Sequence, residues 1–228
     1  MTFTVIAREG SLLGVAQCTD PPAVGGRCPY IRANVGAVST QAYTDPGLGP
    51  LAIEVLTLGH SPEKVLKELG ETDPGFAWRQ VGIVDRHGRA AVHTGTSNKD
   101  YKGAITGDGY LVMGNYLTSD RVVKDMNEAF LASKGKIIED RLLAAITAGR
   151  DAGGDLGGQR SSVILVYATE AYARTNLRVD WAPGPEDAIT AMTKLLDTWR
   201  PLIPYYEERP HKPQMPGWED WLKTQKVG

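Results

Sequence analysis

Two strand-like runs at the start of the chain, TFTVIA at residues 2–7 and LLGVAQCT at 12–19, are separated by Arg8-Glu9-Gly10-Ser11. No other feature constrains the fold as strongly. Two such runs joined by a short glycine-bearing link read as an antiparallel hairpin. Period-two alternation puts Thr2, Thr4 and Ile6 on one face and Phe3, Val5 and Ala7 on the other. A turn centred on Glu9-Gly10 sets Thr2 opposite about Gln17, and a longer turn sets it opposite Cys18 or Thr19. In either register something polar from the second strand is expected beside Thr2. No GxGxxG follows the first strand, which argues against a doubly wound parallel sheet.

The rest of the chain continues in hairpins and helices. VGAVSTQAY (35–43) reads as a third strand, ended by Asp45-Pro46-Gly47. LAIEVLTLG reads as a helix closed by Gly59, and Ser61-Pro62-Glu63 supply a cap, a first-turn proline and an early acid for a second helix. RQVGIVD and RAAVHTG form another hairpin that turns at His87-Gly88, and YLVMGNYL (110–117) is a further strand. Ser119 is expected to cap a helix with Val122, Val123, Met126 and Phe130 on one face. Ile138, Leu142, Ala145 and Ile146 repeat at helical spacing. The glycine-rich AGGDLGGQ (152–159) leads into SSVILVYA, a continuous apolar run typical of a strand covered on both faces. LRVDWA adds a strand, and EDAITAMTKLLDTW a helix with Ile189, Met192, Leu195, Leu196 and Trp199 inward. From Arg200 the composition shifts, with five prolines, Tyr205, Tyr206, Trp218 and Trp221 in the last 29 residues. The expectation is one domain over 1–199 and a tail over 200–228 that wraps onto the body or a partner subunit. Strands in hairpins with helices between them predict an α+β fold, with packed antiparallel sheets and helices outside, layered α/β/β/α.

Composition narrows the function classes. A net charge of −2 over 228 residues gives no general attraction for nucleic acid or an anionic membrane. No apolar run approaches the ~20 residues of a membrane span, and the N-terminus lacks the pattern of a signal peptide, so a cytoplasmic protein is expected. Cys18 and Cys28 lack metal-type spacing, and His60, His87, His93 and His211 are scattered. No metal or cofactor is expected.

The ordered set FTVIAR (3–8), GAVSTQAYTDPGLGP (36–50), RQVGIVDRHGRAAVHTG (79–95), MGNYL (113–117), RLLAAI (141–146) and AGGDLGGQRSS (152–162) resembles the uncharacterised family DUF1028. That family is assigned to the N-terminal-nucleophile (Ntn) hydrolase superfamily. The resemblance runs from about residue 2 to 199 and implies a four-layer αββα sandwich of two antiparallel sheets. It also implies hydrolysis of an amide-type C–N bond by the first mature residue, a role it places on Thr2.

The chemistry of Thr2 is consistent with such a role. Aminopeptidase generally removes Met before a small residue, and the freed α-amine, titrating near ~7.7–8.0, serves as general base for the hydroxyl. With Met1 retained that nitrogen has no basicity. Gly114-Asn115 supplies a close backbone approach and a side-chain amide for an oxyanion, or a bulge glycine and a satisfied Asn. Gln41 and Thr44 bracket the end of the third strand, where a loop begins, and are candidates for substrate binding. His93, at the close of the second hairpin, is a candidate catalytic imidazole or a structural one. Arg79 could clamp a substrate carboxylate or be a strand-end charge. AGGDLGGQRSS lacks GK[ST] and precedes a strand, so it reads as a tight connection in which Asp155 bonds backbone or reaches the site, supported by Gln159 and Ser161. Cys18 has no identifiable base. The expected function is hydrolysis of a small amide, imide or lactam. The rival is a non-catalytic small-molecule-binding or assembly protein on the same fold, and the aromatic tail suggests a homodimer.

Overall fold

The computed structural model describes residues 1–225. The opening hairpin is β1 (Thr2–Glu9) and β2 (Leu12–Thr19), turning at Gly10-Ser11. Gly10 takes φ +58°, a left-handed conformation that glycine adopts at no steric cost. The register Phe3↔Cys18 and Thr4↔Gln17 sets Thr2 opposite Thr19. After β3 (Pro29–Arg32) and β4 (Gly36–Ala42) come the helices α1 (Leu48–Thr57) and α2 (Pro62–Thr72). Ser61 caps α2 by accepting the Lys64 N–H at 3.4 Å, and Gly59 at φ +89° takes the chain away from α1.

The second half holds β5 (Arg79–Asp85), β6 (Ala90–Thr94), β7 (Gly103–Gly107), β8 (Tyr110–Asn115), α3 (Arg121–Ala132) and α4 (Ile138–Asp151). Then follow β9 (Ser161–Tyr167), β10 (Ala173–Val179), α5 (Ala188–Trp199), α6 (Ile203–Glu208) and α7 (Trp218–Gln225). Four details differ from the sequence expectations. The short strands β3 and β7 are additional. β10 begins at Ala173, ahead of Leu177. The cap position of α3 is Asp120 instead of Ser119, without a side-chain cap bond. Leu195, expected inward, is exposed on α5.

The strands form two antiparallel sheets, one in the order β10-β9-β2-β1-β8-β7 and one in the order β3-β4-β5-β6. Phe3, Val5 and Ala7 face outward from the larger sheet into a core shared with α3, α4 and α5. Val38, Val81 and Ile83 face outward from the smaller sheet against α1 and α2. Ile6, Val15, Ala37, Val84, Leu111 and Met113 meet between the sheets. The result is a four-layer αββα sandwich, with hydrophobic side chains on both faces of each sheet. A fully buried aromatic such as Phe3 contributes about 1.5–3 kcal/mol. Beyond α5, Leu202, Ile203 and Tyr205 are buried, and the Tyr205 hydroxyl donates to the Pro216 carbonyl at 3.0 Å. Among the described residues no helix is long and apolar enough to cross a membrane.

Candidate active site

Alternation along the strands decides which side chains enter the layer between the sheets. On β1 the inward row is Thr2, Thr4 and Ile6. On β2 it is Leu13, Val15, Gln17 and Thr19. On β4 it is Ala37, Ser39 and Gln41, and on β5 it is Gln80, Gly82 and Val84. The middle of this layer is apolar, but the end at the start of β1 is not. Thr2, Thr4, Gln17, Thr19, Ser39, Gln41, Gln80 and Asn115 are all buried there. Burying so many polar groups is costly unless they bond one another, and they do.

Gln80 is the hub. Its Oε1 accepts from Gln41 Nε2 at 2.7 Å and from Asn115 Nδ2 at 3.0 Å. Its Nε2 donates to Thr94 Oγ1 at 2.9 Å and to the Gly114 carbonyl at 3.0 Å. Gln41 in turn accepts the Thr4 hydroxyl at 2.5 Å and donates to the Thr2 carbonyl at 3.3 Å. Gln17 donates to Ser39 at 2.6 Å and to Thr4 at 2.9 Å. The network fixes the Asn115 amide with one N–H on Gln80, leaving its second N–H unused by that bond.

Thr2 is 4% exposed and pairs across the ladder with Asn115. Its Oγ1 lies 3.1 Å from the Thr19 hydroxyl, and both hydroxyls point to the Met1 carbonyl. Met1 itself projects into a cavity of about 280 Å³, whose walls include Ala42, Tyr43, Asn98, Lys99, Asn115 and Tyr116. Ala42 and Tyr116 take φ +72° and +56°, a conformation that non-glycine residues adopt at a cost of order 1–3 kcal/mol. The Lys99 ammonium sits 5.0 Å from the centre of the Tyr116 ring.

Asp155 supplies the negative charge. The glycine-rich loop is drawn against the end of β8, where Thr118 N–H donates to the Gly154 carbonyl at 3.0 Å and Asp155 bridges Leu117. Its carboxyl accepts the Asp20 N–H at 3.1 Å and the Gly157 N–H at 2.8 Å. Burial pushes Asp155 up to about 6, against the pull of those bonds and of the chain's α-amine. Burial lowers the α-amine of Met1, while Asp155 acts to raise it. Gln159 donates to the Asp155 carbonyl at 3.4 Å, and Ser161 donates to the Pro21 carbonyl at 2.7 Å.

The structure gathers Thr2, Gln41, Gly114, Asn115 and Asp155 at one end of the sandwich. Other candidates lie elsewhere or are engaged. His93 points to the outer face of the smaller sheet, where its Nε2 meets the Phe76 carbonyl at 2.9 Å and its ring stacks on Phe76 at 3.8 Å. Arg79 is taken up by Asp73, at 2.9 Å, and by the Tyr43 carbonyl. Cys18 faces the outer core, and burial pushes its thiol well up. Thr44 lies 3.8 Å from the Cys28 sulfur. Sequence reasoning offered Gln17, Cys18 or Thr19 as the residue opposite Thr2, and the register selects Thr19; it did not single out Ser39, Gln80, Asn98 or Lys99. For Ser39 and Gln80 the available signal was phase, since both are polar residues two positions from strand residues that face inward.

The chain matches the model of the family of unknown function DUF1028 over residues 2–189. It belongs to the DUF1028 family. Protein SPO2555 from Silicibacter pomeroyi, whose crystal structure is also assigned to DUF1028, shares 29% identity with this DUF1028 chain. The match has a TM-score of 0.79 over 97% of this chain and 93% of that one. Anbu, the ancestral beta-subunit from Yersinia bercovieri, matches at 11% identity and TM-score 0.43, over 94% and 98% of the two chains. Thiobacillus denitrificans BPH matches at 12% and 0.42, over 75% and 100%. Both scores are too low for a shared fold to follow from them. Among curated proteins none matches this DUF1028 chain in sequence.

Proposed function

We propose that this protein hydrolyses an amide-type C–N bond of a small molecule, with Thr2 as nucleophile once Met1 is removed. One observation carries the reading. Thr2 ends a buried polar row next to Met1 and Asn115, which line a cavity, with the Thr19 hydroxyl 3.1 Å from its Oγ1 and Asn115 directly across the ladder. A threonine serving only as strand filler needs no such surroundings.

Loss of Met1 turns the Thr2 backbone nitrogen into an amine beside its own hydroxyl. That amine takes the hydroxyl proton, directly or through one water, as Oγ1 attacks the substrate carbonyl. The C–N bond then breaks, the leaving nitrogen receives the proton, and the acyl group rests on Oγ1. Water, deprotonated by the same amine, releases the carboxylic acid and restores the hydroxyl. The Asn115 N–H left free by Gln80, with nearby backbone N–H groups, faces the developing oxyanion. The site calls for no cofactor. Amides, imides and lactams small enough for the cavity that Met1 vacates are the substrate class.

A second reading is supported by the two hydroxyls that converge on the Met1 carbonyl. A chain that keeps Met1 has both satisfied and no free amine, which suits a binding or assembly role. Intact mass decides first: loss of one methionine residue leaves the hydrolase reading open, and retention in a host with normal processing ends it. An acylating β-lactone probe should then label the mature wild type on Thr2 and leave Thr2→Ala unlabelled at nearly unchanged melting temperature. Equal labelling, or full turnover, in Thr2→Ala overturns the proposal.

A further inference from the structure

The layer between the sheets has a second mouth. On β1 the inward row Thr2, Thr4, Ile6 continues to Arg8. On β5 the row Gln80, Gly82, Val84 continues to Arg86, whose N–H extends the ladder by donating to the Val35 carbonyl at 2.9 Å. Two guanidinium groups from opposite sheets therefore reach the end of the sandwich away from Thr2, about 20 Å along β1 at ~3.3 Å per residue. A cavity of about 420 Å³ opens there, with buried Leu13 at its base and Ser11, Asn34 and His87 in its wall.

The charges at this mouth are unmatched. Among the described residues the Arg8 guanidinium has no hydrogen-bond or ion-pair partner, and the only side-chain bond of Arg86 runs from Nε to His87 Nε2 at 3.1 Å. Elsewhere arginines meet acids, as in Arg79 with Asp73, Arg89 with Asp85 and Arg174 with Glu139. The acids nearest the mouth are already committed or turned aside. Glu9 is held by Arg141, and Asp85 by Arg89 and the His87 N–H. Asp108, in the turn between β7 and β8, lies beside Gly88 and, among the described residues, forms no ion pair with either arginine. Each guanidinium is a planar fork that can hold an oxyanion bidentately, and Arg8 and Arg86 both line this one cavity. Ser11 adds a hydroxyl. Asn34 adds an amide held only by a 3.3 Å bond to the Thr169 carbonyl. The volume and the Leu13 base leave room for an organic group, within the usual range of small-ligand sites.

We propose that this mouth is a binding site for a phosphomonoester, its phosphate held between Arg8 and Arg86. It is separate from Thr2 and does not rest on the hydrolase reading. The test titrates glycerol phosphate, and inorganic phosphate alongside it, into the full-length protein at constant ionic strength balanced with potassium chloride. Backbone amide shifts are followed at Gly10, Ser11, Asn34 and His87. Saturable shifts confined to this mouth are expected, with affinity weakened about tenfold or more in Arg8→Gln and in Arg86→Gln, each losing one charged fork. Arg86→Lys should retain part of the affinity, and Thr2→Ala all of it. No saturable shift, a shift that potassium chloride alone reproduces, or affinity unchanged in both glutamine variants overturns the proposal.

Discussion

The titration of Asp155 tests the electrostatics of the Thr2 end without a known substrate. Asp155 is 3% exposed, and burial moves it from the ordinary 3.8 to about 6. An acid raised in the fold holds its proton more tightly folded than unfolded. Its contribution to stability is therefore complete below the unfolded value, near pH 4, and is lost as pH rises through about 6. At about 1.4 kcal/mol for each pH unit between the two values, the loss by pH 7 is about 3 kcal/mol. Asp155→Asn removes the titration. The amide oxygen still accepts one of the N–H groups of Asp20 and Gly157, but the amide nitrogen faces the other. The variant is thus less stable by a pH-independent offset of about 1–3 kcal/mol. Urea unfolding from pH 4 to 7.5 gives the two profiles. Wild type should lose about 2.5 kcal/mol relative to the variant across that range, so that their difference narrows or reverses as pH rises. A difference that stays constant refutes a buried Asp155 raised to about 6.

Gln80→Ala strips partners from Gln41, Asn115 and the Gly114 carbonyl at once, and should cost about 3–5 kcal/mol in urea unfolding. Loss below 1 kcal/mol would mean the network is not as drawn. Gly95→Ala would drive a Cβ onto the Ala77 carbonyl, whereas a Cβ at Gly103 meets nothing within 4 Å. The first should express poorly or unfold early, and the second should stay within about 1 kcal/mol of wild type. His93→Gln gives up the ring stacked on Phe76 and should cost about 1–2 kcal/mol, while labelling of Thr2 by the acyl probe stays unchanged. Loss of labelling in that variant, at retained stability, would bring His93 back as a site residue.

The elements with strong local signals were legible from the residues. The Gly10 turn, the His87-Gly88 turn, the Ser61-Pro62 helix start and the 3.6-residue stripes of α3 to α5 each state their structure locally. The short strands did not. Pro29–Arg32 carries a proline and only four residues, and Gly103–Gly107 has glycine at both ends, so their pairing is imposed by neighbours distant in sequence. The site was half legible for a related reason. Thr2 stood out because removal of Met1 would give it an amine, and Gly114-Asn115 because a strand ends there. Gln80 had no comparable mark, since its role comes from β4 beside it in its own sheet and β8 facing it from the other. His93 shows the converse. One step of strand phase sends its imidazole to the outer face, and no composition rule reads that phase without knowing which face is which.

Thr2 begins an interior strand of the larger sheet, and on the hydrolase reading proposed above this imposes a deadline on the removal of Met1. Once β1 is flanked by β2 and β8, Met1 faces a cavity of about 280 Å³, the size of a small-molecule site, and Thr2 is buried, which bars an aminopeptidase from the Met1–Thr2 bond. β2 emerges at once, but β8 ends at Asn115, and a two-stranded hairpin alone is marginal in water. At ~5–20 residues per second, the start of the chain stays open for roughly 6–23 s of synthesis. Maturation is then a race between trimming and closure, and a chain that closes first keeps its methionine for as long as it stays folded. Refolding such a chain in the absence of aminopeptidase would not repair it. Preparations from overloaded hosts would therefore be mixtures of two species of identical fold, one carrying a free amine and one without it.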